Sequence, residues 1–330
     1  MLLRAWRQPL HHGGGCRFRR RIPGAPEVPQ GARRVVAPIP DRVPSEETAE
    51  PTLHKEADRL GRGRGQKRGT LVLSGSPRVS VIIPCYNHGE FLNETVDSVL
   101  AQSFTDFEII IVDDGSTDPV TVRLLRGYQR PKTTVLHTAN AGVSAARNTG
   151  IGRARGTYIL PLDADDRVAP SYMEKAIAIL DASPDVGIVY CDEEMFGEKQ
   201  GAWDLPEYDP VAELFDNLIH PAAFYRKSDW QRVGGYSTAF VYGWEDWDFW
   251  VSMSQLNKKV SKIQEILYYY RVRGTSRDHS MRLRHKFVMM MLIILRHKWL
   301  YLRNAGSFFY KIMVLGRKAL STVLSRAKRS

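Results

Sequence analysis

Two short apolar runs, Val79-Ser80-Val81-Ile82-Ile83-Pro84 and Phe107-Glu108-Ile109-Ile110-Ile111-Val112, restrict this chain more than anything else in it. Neither alternates polar with apolar residues, so each reads as a strand buried on both faces, as in a parallel sheet covered by helices. Between them Leu92, Val96, Val99 and Leu100 recur at helical spacing, after a break at Cys85-Tyr86-Asn87-His88-Gly89. Thr133 to His137 and Thr157-Tyr158-Ile159-Leu160-Pro161-Leu162 repeat the strand signal, with a helix through Arg147 and Asn148 between them. Strands that alternate with helices join through right-handed crossovers. The expectation is an α/β fold: a single domain with a mainly parallel central sheet flanked by helices, plus a C-terminal helical tail. A helix entered at Pro170 and a short strand from Ala222 to Arg226 complete it.

Sheets of this kind bind ligands beyond the carboxyl ends of their strands, which is where Tyr86, Asp113, Asp114, Asp163 and Asp165 fall. Asp163-Ala164-Asp165 suits a hard divalent cation, because Mg²⁺ and Mn²⁺ take oxygen ligands and need only one or two carboxylates beside substrate phosphates. An isolated pair of this spacing is a weak signal. A second acidic cluster stands in Trp244-Glu245-Asp246-Trp247-Asp248-Phe249-Trp250. The helix dipole explains a solitary acid at a helix start. Three acids among three tryptophans suggest in addition a carboxylate with a raised pKa, and indoles able to stack on a sugar.

The blocks Val79 to Asn87, Val112 to Asp118, Ala146 to Gly150, Leu162 to Asp166, Gly234-Gly235-Tyr236 and Trp244 to Asp248 resemble, in order and spacing, the family 2 glycosyltransferases. These are nucleotide-sugar enzymes of the GT-A fold, and the likeness runs from about Pro77 to Met281. The resemblance implies that Pro84 and Tyr86 contact the nucleobase, that Asp114 hydrogen-bonds it with Asp113 beside it, and that Arg147 lies near the diphosphate and ribose. It makes Asp165 the metal ligand, with Asp163 on the ribose or on the metal through water, and offers His279 as a further ligand. Asp246 becomes the general base and Glu245 its positioning partner, with His220, Gly234, Gly235 and Trp244 on the acceptor side. Plainer readings stay open: Asp113 and Asp114 also suit a turn and helix cap, Arg147 a salt bridge to the Asp163 loop, Asp166 a helix cap, and His220 a structural role.

The implied activity is inverting transfer of a hexosyl or N-acetylhexosaminyl group from a nucleoside diphosphate sugar, UDP being expected over GDP or dTDP, with Mn²⁺ or Mg²⁺. The acceptor expected is a saccharide or lipid-linked saccharide of an envelope polymer, extended by single additions. A non-catalytic saccharide-binding or scaffold protein of the same fold is the alternative. A nucleotidyltransferase would carry a glycine-rich phosphate loop after the first strand, and Pro84-Cys85-Tyr86-Asn87 is not one.

The net charge of +11 hides a division. Residues 1–76 hold 15 Lys/Arg and 7 Asp/Glu, residues 77–281 hold 20 and 29, and residues 282–330 hold 12 and none. An acidic middle argues against a nucleic-acid groove there. Residues 1–76 read as a disordered basic segment, residues 77–281 as the catalytic domain and residues 282–330 as a basic amphipathic tail. For the first segment an Arg-rich targeting peptide and a translation start further downstream are both open. Three scattered cysteines, Cys16, Cys85 and Cys191, fit a reducing compartment and a cytoplasmic location. The apolar run Phe287 to Leu295 is far short of the roughly 20 residues that span a bilayer. The tail is expected either to lie on the inner face of an anionic membrane or to pack on the domain or a dimer partner. No oligomeric state follows from the sequence.

Overall fold

The predicted apolar runs form β1 (Val79–Cys85) and β2 (Phe107–Asp114), every residue of both buried. The computed structural model describes residues 75–203, 205–274 and 281–306. The basic N-terminal segment, His279 and the end of the tail lie outside the described residues.

β1 pairs in parallel with β2 on one side and β4 (Tyr158–Pro161) on the other, and β2 pairs in parallel with β3 (Thr133–Thr138). Beyond β4 the sheet turns mixed. β6 (Val186–Gly197) and β8 (Phe224–Arg226) run antiparallel, as do β8 and β4. β9 (Lys259–Val272) lies parallel to β6 along most of its length, and β5 (Arg167–Val168) closes that edge. β7 (Gly201–Trp203) folds back on β6. Among the described residues the nine strands follow the order β3-β2-β1-β4-β8-β6-β9-β5, with β7 off the path.

Successive strand side chains point to opposite faces, and β1 divides accordingly. Val79, Val81, Ile83 and Cys85 join a core with Leu92, Val96 and Val99 of α1 (Gly89–Leu100) and Met173 and Ile177 of α4 (Tyr172–Ala182). Ile82 faces the other way, with Ile151 of α3 (Val143–Arg153) and Phe249 and Trp250 of α6 (Glu245–Ser254). α3 comes very close to the sheet: a Cβ on Gly150 would stand 2.5 Å from Ile82 Cγ2 and 3.1 Å from Val112 Cγ2. Gly150→Ala is therefore expected to lower unfolding free energy by about 1–3 kcal/mol in a denaturant titration, as overpacking does. An unchanged midpoint would mean that α3 shifts without cost.

The loops after β1 and β2 are stitched together. Asn87, in the left-handed region at φ 58°, accepts through Oδ1 from Thr117 N at 2.8 Å and Asp118 N at 2.9 Å. Asp118 caps α2 (Pro119–Arg126) by accepting from Thr121 N at 2.8 Å. Asp113 accepts from Ser116 N and meets His137 Nδ1, both at 2.9 Å. The Asp113 to Asp118 run is thus in large part a turn and cap, and it leaves Asp114 at the sheet's edge.

A third apolar cluster receives the tail. Met289 and Ile293 of α7 (Leu283–Arg296) and Tyr301 of α8 (Lys298–Arg303) pack with Leu214, Trp244 and Trp247. Asp248, fully buried, fixes the contact by accepting from His297 Nε2 at 2.9 Å and Arg296 Nε at 3.0 Å. One side of the described part of the tail is therefore packed on the domain. No helix among the described residues is long and apolar enough to cross a membrane.

Candidate active site

A cleft of about 490 Å³ opens beyond the carboxyl ends of β1, β2 and β4 and is closed on its far side by the start of α6. Pro84 and Tyr86 border it from β1, and Asp163 and Asp165 from the β4 exit. Asp114 borders it too, with its two oxygens accepting from Ala141 N and Gly142 N, each at 2.9 Å, at the head of α3. Asp113 does not line the cleft. Its carboxylate is spent on Ser116 and His137, which corrects its expected place beside the nucleobase.

Arg147 ties the cleft together. Its guanidinium, 1% exposed, donates to Asp163 Oδ1 at 2.7 Å from Nη2 and to Glu245 Oε1 at 2.9 Å from Nη1. Burial works against its charge, but Asp163 and Glu245 outweigh it and hold its pKa well above the ordinary arginine value. Both ends of its planar fork are occupied by carboxylates. The salt bridge to the Asp163 loop, one of the two readings open for Arg147, is thus formed, and it extends from α3 to Glu245 of α6 while Arg147 still borders the cleft.

Asp165 meets the other side of the cleft. Arg273 Nη2 lies 2.7 Å from its Oδ2, and His88 Nδ1 lies 3.9 Å from its Oδ1. Burial raises its carboxyl pKa and Asp163 adds to the rise, while His88 and Arg273 oppose it. Asp166, 1% exposed, accepts from Tyr268 Oη and from Arg271 N, so it pins β9 to the Asp163 loop instead of capping α4. Its own carboxyl is driven well above the usual range by burial and by Asp165 and Asp163. Three crowded carboxyls of this kind favour a nearby cation. Among the described residues no cluster of three or more His, Cys, Asp or Glu forms an all-protein metal cage. Asp163 and Asp165 fit instead a hard divalent cation of the kind that needs only one or two carboxylates from the protein. His279 lies outside the described residues.

Asp246 sits in the first turn of α6, just after Trp244, whose φ of 67° bends the chain sharply into the helix. Asn217 Nδ2 donates to Asp246 Oδ2 at 2.9 Å. Burial, then the charge of Glu245, push the Asp246 carboxyl up to about 6, against the pull of Arg147. Of the three tryptophans only Trp244 borders the cleft. Trp247 and Trp250 are core residues, 0% and 1% exposed, so stacking on a sugar is not theirs. Asp248 is held by the tail, as above.

The acceptor-side residues divide. Gly234 and Gly235, at φ 81° and 77°, end α5 (Lys227–Val233) by donating to Gln231 O and Trp230 O, and neither borders the cleft. Gly235 is required by crowding, since a Cβ there would stand 2.7 Å from Asn148 Oδ1. His220 does line the cleft floor, yet it is 4% exposed and stacks on Tyr268 with ring centroids 4.5 Å apart. Burial drives its imidazole down to about 3, which keeps it neutral.

Sequence reasoning missed Arg273, the approach of His88 to Asp165, and a wall made by Trp203 and Tyr270, whose rings meet edge to face at 6.3 Å. Only strand parity could have found Arg273: it stands two residues after Arg271 and so on the same side of the chain.

The half-parallel, half-mixed sheet with its acidic strand exit is the GT-A fold, as in the crystal structure of S. aureus TarS in complex with UDP-GlcNAc. That match covers 66% of each chain at 22% identity, with a TM-score of 0.56. The chain belongs to glycosyl transferase family 2, whose sequence model matches residues 80–264, more than half of it. An uncharacterized protein of Sinorhizobium fredii is 31% identical over 239 residues, which cover 67% of this chain and 26% of that protein. An uncharacterized glycosyltransferase of Escherichia coli is 37% identical over 166 residues, 49% of this chain and 45% of its own. One of Rickettsia prowazekii is 32% identical over 219 residues, 62% and 65% respectively. The chain thus spans less than two thirds of the length of each of these relatives.

Proposed function

We propose that this protein is an inverting glycosyltransferase that moves a hexosyl or N-acetylhexosaminyl group from a nucleoside diphosphate sugar to a saccharide or lipid-linked saccharide. The observation that carries the reading is one cleft holding both Asp163 and Asp165 and a carboxyl tuned to about 6 at Asp246, bridged through Arg147 and Glu245. A saccharide-binding scaffold has no use for that combination.

Pro84, Tyr86 and Asp114 receive the nucleotide at the strand ends. Asp165, with Asp163 directly or through water, would hold a divalent cation, which when bound would supply positive charge against the departing diphosphate. Asp246 takes the proton of the acceptor hydroxyl as its oxygen attacks the anomeric carbon from the side opposite the diphosphate. One displacement inverts configuration. Asn217 fixes the rotamer of Asp246 through the bond to Oδ2, and Arg147 limits the rise of its pKa so that it is ionised near neutral pH. Trp203, Tyr270 and Trp244 offer apolar ring surface for sugar faces.

The test is release of nucleoside diphosphate from UDP-, GDP- and dTDP-sugars in the presence of Mn²⁺, with oligosaccharide and lipid-linked acceptors. UDP-GlcNAc, bound by TarS, is the first donor to try. Activity is expected to vanish with chelator and return with Mn²⁺ or Mg²⁺, and Asp165→Asn is expected to lose the metal-dependent part of UDP binding while staying folded. Unchanged nucleotide affinity in that variant would remove the metal role. Saccharide binding without any release would return the protein to the scaffold reading.

A further inference from the structure

α7 and α8 are apolar on two sides, and the fold accounts for only one. Met289 and Ile293 point into the domain. At 100° per residue, the opposite side of α7 carries Leu283, Phe287, Met291 and Leu295, a four-residue spacing that lines them up in one stripe. They are 79%, 66%, 38% and 64% exposed, and Trp299 and Leu302 of α8 add exposures of 73% and 61%. A helix that is hydrophobic all round normally has something on both sides of it. Contiguous exposed patches of this kind mark interaction surfaces.

The charge around the stripe selects the occupant. Residues 282–306 hold six Lys/Arg, residues 307–330 six more, and neither stretch holds an acid. A second copy docked by two-fold symmetry would set this cationic face against itself. The remaining 24 residues of the chain, equally cationic, would meet the same repulsion as a cover. An anionic lipid surface offers negative phosphates beside an apolar layer, which matches basic residues flanking an apolar stripe.

We propose that the outward side of α7 and α8 docks on an anionic membrane, with Leu283, Phe287, Met291, Leu295, Trp299 and Leu302 sunk to the headgroup–acyl boundary. Arg282, Arg284, Lys298 and Arg303 then meet lipid phosphates. The same cluster that seats α7 contains Trp244 and Met281, both of which border the cleft, so docking sets the cleft rim close to the membrane. The inference does not depend on the transfer reaction: vesicle binding requires neither donor nor metal.

The full chain is tested by co-sedimentation with vesicles of phosphatidylcholine alone and of phosphatidylcholine with phosphatidylserine. Binding is expected only to the anionic vesicles, weakening about tenfold or more between roughly 0.1 and 0.5 M salt as exposed charges are screened. The quadruple variant Leu283→Ser, Phe287→Ser, Met291→Ser, Leu295→Ser is expected to bind about a hundredfold or more weaker, since four apolar anchors are lost. Its turnover on a soluble acceptor should match wild type. Should that variant fail to fold, Trp299 reports on the intact face: brominated lipid should quench wild-type fluorescence more than that of Trp299→Phe. Equal binding to neutral vesicles, undiminished binding by the folded quadruple variant, or no Trp299-dependent quenching would each overturn the proposal. A wild-type dimer that ignores vesicles and becomes monomeric in the quadruple variant would do the same and give the face to a second copy.

Discussion

Asp246→Asn should lower kcat for transfer by at least about a hundredfold, and up to about ten thousandfold, because the substitution keeps the hydrogen bond to Asn217 but removes the proton acceptor. Wild-type kcat/KM should fall as pH drops through about 6, where the Asp246 carboxyl protonates. The direction follows from a base that works only when ionised, and the loss approaches tenfold per pH unit below that point. The sign for stability is opposite. A carboxyl whose folded pKa lies above its unfolded value is destabilised in the fold once ionised, so neutralising it at pH 7 should leave the melting temperature at or above wild type. An ordinary acid at a helix start would instead lose about 0.3–1 kcal/mol of stability and no catalysis. A variant that turns over within a few-fold of wild type would place the base elsewhere, and Glu245 would be tested next; Asp248 is already committed to His297 and Arg296.

Arg147→Ala carries the largest expected loss of stability. Its removal takes a charge 2.7–2.9 Å away from the partly buried Asp163 and the buried Glu245, and breaking a buried ion pair of this kind costs about 3–5 kcal/mol. For a domain of this size that is a fall in melting temperature of roughly 10 °C. Arg147→Lys should recover only part, since a single ammonium cannot reach two carboxylates as a planar fork does. The combination Arg147→Met, Asp163→Asn, Glu245→Gln should restore much of the stability without restoring turnover, because all three charges of the bridge are removed together but the cleft has lost it. Melting of Arg147→Ala within about 1 °C of wild type would show that the bridge adds nothing net.

Much of the site was legible before any coordinate, for identifiable reasons. Asp163, Asp165 and Asp114 could be placed because they follow strands, and a parallel sheet sends all its strand ends to one side. Gly234 and Gly235 could not be placed in this way. Paired glycines signal a backbone that needs positive φ, and both a ligand-facing turn and a helix end meet that description. Likewise three tryptophans near three acids say that burial is close at hand, but not which indole faces the cleft. Helical rotation decides that, and it sends Trp247 and Trp250 into the core.

The sequence by itself determined the alternation of buried strands and amphipathic helices, the acidic strand exit and the cationic tail, because these are local: they follow from side-chain periodicity and charge along the chain. Only the tertiary structure decided which charges meet. Arg147 lies 16 residues from Asp163 and 98 from Glu245, and Arg273 lies 108 residues beyond Asp165, yet each approaches its partner within 3 Å. The Arg147 bridge to the Asp163 loop was open as one of two readings, but Glu245 and Arg273 as partners were not, since any basic residue can serve any acid that the fold delivers to it. The tail shows the same limit. Its composition displayed apolar residues on every side of α7, and packing against Trp244 and Trp247 fixed which side the domain would cover and which would remain exposed.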